Sequence, residues 1–123
     1  MESRVELHKD IIEEKKRKKG LLEAIKEAIR ESKPDFKFAG VTIFELGKEH
    51  AVALFLDEEE NPITDMLIDI KKDITIKNPK EFRVKIKPEP QGMLHYELYE
   101  DGKTYEGKAY LLTPWIPYDE IIK

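Results

Sequence analysis

Cysteine is absent from the chain, which excludes disulfide scaffolds, thiolate metal sites, iron–sulfur clusters and thiol nucleophiles together. Serine is nearly as scarce. Ser3 and Ser32 stand at the two ends of the first third, where capping explains them, so no serine nucleophile is expected. No run of apolar residues approaches the ~18 needed to span a bilayer, and Met1, Glu2, Ser3 and Arg4 do not open a signal peptide. The cytoplasm is therefore the expected compartment, with no membrane partner. The six glycines are isolated from one another, which leaves no Gly-rich phosphate loop. Asparagine occurs only at Asn61 and Asn78 while 39% of residues are charged, a thermophile-like composition.

What is present suffices for one core. A chain of 123 residues, 40% of them hydrophobic, is expected to fold as a single α+β domain, 1–123: helical over 1–33, an antiparallel sheet over 35–112, and a C-terminal strap over 113–123. Charge alternates by block. Residues 1–34 carry 10 basic and 8 acidic groups, 35–70 carry 2 and 9, 71–88 carry 7 and 2, and 89–123 carry 3 and 7. Without a Gly/Ser linker or a repeat, this is patterning within one domain.

Ser3 with Glu6 forms a capping-box signature, and Pro34 closes the helical region. Leu7, Ile11, Glu14, Lys18, Leu21, Ile25 and Ala28 follow a 4,3,4,3,4,3 spacing that places them on one stripe. Two copies paired antiparallel about residue 16 would set Leu7 against Ile25, Ile11 against Leu21 and Glu14 against Lys18, whereas parallel pairing would oppose like charges. A break at Gly20 into two shorter helices is the alternative.

From Asp35 onward the hydrophobic period becomes two. A two-residue turn at Gly47-Lys48 predicts Ile43 opposite Val52, and a loop through Glu58 to Pro62 predicts Val52 opposite Ile68. The helix then covers Val41, Ile43, Val52, Leu54, Leu56, Met66, Ile68 and Ile70, while Phe44, Ala51, Ala53, Phe55 and Leu67 form an apolar patch on the other face. Further on, Phe82, Val84 and Ile86 alternate with Arg83, Lys85 and Lys87. Asp101-Gly102 is a type I′ signal that sets Gly107 opposite Tyr96, leaving room for the ring. The sum is a helix packed on an antiparallel meander of about six strands, an open curved sheet or a partly closed barrel. Pro114-Trp115-Ile116-Pro117 is expected to leave the sheet, because neither proline can donate to a ladder. Trp115 then either anchors the strap or offers a hot spot to a partner.

Chemistry is thin. His8, His50 and His95 are scattered without metal-ligand spacing, and the sequence predicts neither a metal nor a cofactor. Asp57, Glu59 and Asn61 alternate as in a calcium loop, but Pro62 and Ile68 occupy the positions where that loop needs Gly and Glu. The residues therefore point to a non-enzymatic macromolecule-binding domain acting through protein–protein contacts, with self-association as a homodimer its simplest form. Phe44, Phe55, Leu67 and Trp115 would be the docking surface. The alternative is a single-stranded nucleic-acid-binding protein using Lys15, Lys16, Arg17, Lys18 and Lys19 with Arg83, Lys85 and Lys87. Against it stands the pI near 5.5. A small enzyme with a His/carboxylate site is the second alternative.

Overall fold

Gly20 does not break the helix. A computed structural model describes the backbone of residues 2–122 and the side chains of residues 16–122, and one unbroken helix, α1, spans Glu2–Ser32. Glycine inside a helix costs about 1 kcal/mol relative to alanine. Burial of Leu21, Ile25 and Ile29 on the turns that follow outweighs it. The helix ends where the Ser32 hydroxyl donates to the Ile29 carbonyl at 2.6 Å and Lys33 enters the left-handed region at φ 51°. No described helix is long and apolar enough to cross a membrane. The Ser3–Glu6 capping box lies outside the described side chains.

Seven strands follow: β1 (Gly40–Leu46), β2 (His50–Leu56), β3 (Pro62–Asp69), β4 (Thr75–Lys77), β5 (Phe82–Pro88), β6 (Leu94–Glu100) and β7 (Lys103–Pro117), then a short α2 (Tyr118–Ile121). They form one antiparallel sheet of order β4-β3-β2-β1-β7-β6-β5, so β7 returns to pair with β1 instead of extending a simple meander. This order forces the sheet to curl. Its edge strands β4 and β5 are joined by only residues 78–81, which span at most about 18 Å, whereas the edges of a flat seven-strand sheet stand about 29 Å apart. The result is an open half-barrel with α1 packed on its outer face.

Two cores result. Leu21, Ile25 and Ile29 of α1 pack with Val41, Ile43, Ala51, Ala53, Phe55 and Ile68, and Ile121 of α2 joins them. Inside the curl, Leu46, Val52, Leu67, Tyr96, Leu98 and Ala109 form the second, with Phe44, Leu54, Phe82, Val84 and Ile86 against them. The carboxyl end is fastened by Arg30, whose Nε donates to the Ile121 carbonyl at 2.6 Å.

The observed register corrects the expected facing of β2. Leu46 pairs with His50, leaving three loop residues where two are predicted, so Ile43 lies opposite Ala53. Gly47 takes φ 63° there and donates its N–H to the Lys108 carbonyl, which fixes the wider turn against β7. On the other side of β2, Asp57 Oδ1 accepts the N–H groups of Glu59 and Asn61, closing a tighter loop that puts Val52 opposite Leu67. The two slips have opposite sign. β1 and β3 face as predicted, while all of β2 is inverted, because one residue of slip exchanges the faces of a strand.

The predicted apolar patch is thereby dissolved. Phe55, at 0% exposure, belongs under the helix beside Phe36 and Phe38; Leu67, also 0% exposed, and Phe44 are enclosed by the curl. The strap is corrected as well, since β7 stays paired with β1 to Pro117. Pro114 and Trp115 together oppose Thr42 in a bulge, and β7 has no partner on its other side beyond Ala109. Neither proline is therefore asked for a ladder donor in a doubly paired strand. Matters differ at Asp101-Gly102, where Glu100 pairs with Lys103, both loop residues have positive φ, and Gly107 lies opposite Tyr96 as predicted.

The corrected facing has a measurable consequence. Phe55→Ala is expected to lower the unfolding free energy by about 3–5 kcal/mol in chemical denaturation. A loss below about 1 kcal/mol, the range of exposed sites, would contradict the placement of Phe55 beneath α1.

Candidate interaction surfaces

Because β5 and β6 turn their even-numbered residues into the curl, their odd-numbered residues form an outer surface that α1 does not cover. Arg83, Lys85, Glu97, Tyr99, Thr104 and Glu106 line an open hollow of about 540 Å³ there. Its cations are not free for a polyanion. Arg83 lies over the Tyr99 ring at 4.6 Å and pairs with Glu81 at 2.9 Å, so it occupies a ring face on which a base would stack. Lys87 reaches Glu97 at 3.5 Å, and Lys85 stands opposite Glu97 in the register. Lys18 lies over the Tyr110 ring at 5.8 Å.

The same surface gathers a group that sequence spacing did not single out. The donor atoms of His95, Glu97 and Glu106 lie within 4.8 Å of one another. The Asp101-Gly102 turn already implied Glu97 opposite Glu106; what the sequence did not reveal was that the His95 ring reaches across to β7.

A second polar cluster lies inside the curl. Glu100 accepts from Lys77 at 2.7 Å and lies 3.3 Å from His50 Nε2, while the His50 ring packs on Tyr105 at 4.7 Å. Four strands supply it, β2, β4, β6 and β7, so only the curl brings it together. The hydrogen bond to Glu100 holds the Lys77 ammonium above its usual pKa against the opposing effect of burial. Burial also pushes up the Asp65 carboxyl and the Tyr96 hydroxyl. His50 is 3% exposed, and the cluster joins the two halves of the curl.

The helix cations divide. Arg17 pairs with Glu45 at 3.2 Å and Lys18 rests on Tyr110, while Lys16 and Lys19 are exposed; the Lys15 side chain lies outside the described residues. Leu7, Ile11 and Glu14 likewise lie outside them. Leu21 and Ile25 are 9% and 0% exposed, so the antiparallel pairing about residue 16 would have to strip α1 from its own sheet. Trp115 is partly exposed and lies flat on Gly40, where an added Cβ would come within 2.2 Å of the ring.

The chain matches no family model, no curated protein and no solved structure. Function is read from its own surfaces.

The interior cluster yields a pH prediction. A lysine pKa raised by folding contributes stability that is complete below the unfolded value of 10.5 and is lost as pH climbs through the raised one. Glu100→Gln is expected to cost about 2 kcal/mol at neutral pH and to flatten the alkaline decline seen in denaturation series. An unchanged alkaline slope would show that this pair does not stabilise the fold.

Proposed function

We propose that the protein is a non-enzymatic binding domain that acts through protein–protein contacts, with the amino-terminal half of α1 as the docking arm and a second copy of the chain as its partner. One observation carries the reading: α1 is a single 31-residue helix, more than four times the residue count of the seven-residue strands β1 and β2. At 1.5 Å per residue the helix is about 46 Å long. Its last sixteen residues already match the roughly 23 Å of a seven-residue strand. A helix laid along the strands would then have about 22 Å to spare, and helices of that length are marginal in water without a packed face.

The arm sequence supplies such a face and a complementary charge order. Overlapping two arms antiparallel about residue 9 sets Leu7 against Ile11 of the second copy, Arg4 against Glu14 and Glu2 against Lys16. Parallel overlap would oppose Glu14 to itself. Burial of Leu7 and Ile11 on this stripe would supply on the order of 3–6 kcal/mol per arm before association costs. This register leaves Leu21 and Ile25 in the core, unlike a pairing about residue 16.

Sedimentation equilibrium tests it. The full chain is expected at twice 14.4 kDa, with Ile11→Asp weakening the dimer by about 100-fold and removal of residues 2–15 giving a folded monomer. A full-length chain that stays monomeric at about 100 μM, which means an association weaker than about 5.5 kcal/mol, would defeat the reading.

A further inference from the structure

We propose that His95, Glu97 and Glu106 form a site for one first-row divalent cation of the zinc class. The site lies on the outer surface of β6 and β7 and is independent of the helical arm. Its geometry follows from the hairpin. Glu97 and Glu106 are directly opposite across the ladder, and His95, two residues before Glu97, projects from the same face. All three donor atoms lie within 4.8 Å of one another, and His95 Nε2 is 3.6 Å from Glu106 Oε2. Ligands 2.0–2.1 Å from a tetrahedral zinc ion are separated by about 3.4 Å. The His95–Glu106 separation is already close to that spacing.

Two further observations favour a cation here. Opposed carboxylates on one sheet face destabilise a ladder, and among the described residues the only ion-pair partner of Glu106 is His95. A bound ion would neutralise the pair. The other ring nitrogen, His95 Nδ1, points to Glu89 Oε1 at 4.0 Å. No hydrogen bond forms at that distance; a carboxylate that closed on Nδ1 as the ion bound would accept its proton and fix the tautomer in which Nε2 offers its lone pair, an arrangement that accompanies most metal-bound histidines. Glu89 acts through His95 and is a positioning residue. One imidazole and two carboxylates suit zinc, cobalt or manganese over magnesium. Three protein donors also leave a coordination position open to solvent.

Lysines limit the affinity. Lys87 holds one oxygen of Glu97 at 3.5 Å, while Lys85 and Lys108 stand opposite Glu97 and His95 in the register. Lys87 therefore competes with the metal for the same carboxylate, and removing it should tighten binding.

Titration calorimetry of tag-free protein with zinc chloride, and separately with magnesium chloride, is the test. The expected results are one zinc ion per chain, no measurable magnesium binding, loss of zinc binding in His95→Ala, a 10- to 100-fold weakening in Glu89→Gln and tighter binding in Lys87→Ala. All three variants lie on the partly or fully exposed surface, and circular dichroism checks that each stays folded. Zinc binding of unchanged strength in His95→Ala would place the ion elsewhere and overturn the proposal. Absence of zinc binding to the unaltered protein, or magnesium binding of equal strength, would do the same.

Discussion

The ladder between β1 and β7 is the constraint on which the rest of the structure depends. It joins two antiparallel runs, β1 to β4 and β5 to β7, into a single sheet whose ends are also the ends of the four-residue link 78–81. A sheet so wide with its edges tethered so closely must bend. Bending gives it an inner face that fills itself, through Leu46, Val52, Leu67 and Leu98, and an outer face that needs cover. The carboxyl half of α1 covers the β1–β4 side. The β5–β7 side remains in solvent and carries the alternating charges of Arg83, Lys85, Glu97 and Glu106. The inner ion cluster at Glu100 then ties the two halves together where no hydrogen-bonded ladder does.

Much of this was legible in the sequence wherever local chemistry decides. Asp101-Gly102 tolerates positive φ at both positions and set the β6–β7 register correctly, down to the glycine beneath the Tyr96 ring. Alternation placed Phe82, Val84 and Ile86 inside and their basic neighbours outside. Reading failed where distant contacts decide. The turn at Gly47 is held by Lys108, sixty residues away, which local turn preferences could not reveal, and one residue of slip was enough to invert β2. Because β2 is apolar on both faces, its pattern did not resist the wrong register. Pro114 looked like a strand terminator, but a bulge and an unpaired edge accommodate it. His95 and the two glutamates were visible as separate residues. Their convergence depends on how far a side chain reaches across a twisted hairpin, which spacing does not encode.

This correction changes what a partner has to recognise. Phe44, Phe55 and Leu67 are enclosed by their own chain and do not form that docking surface. On the proposed reading, association falls instead to the amino-terminal half of α1. Arg17 and Lys18 already touch the sheet, and Leu21 and Ile25 are buried in the fold, so the proposal assigns only the residues before them to a second chain.

Because the chain has no cysteine, a single label reports that arrangement directly. Lys16, exposed at the base of the arm, is replaced by Cys and carries a nitroxide whose dipolar coupling is measured by pulsed electron resonance. Antiparallel arms crossing about residue 9 put the two labels about 23 Å apart, from fourteen residues of helical rise and one interhelical spacing. A distance near 10 Å would mean parallel arms, and no coupling at all would mean that the arms do not meet; either result contradicts the account.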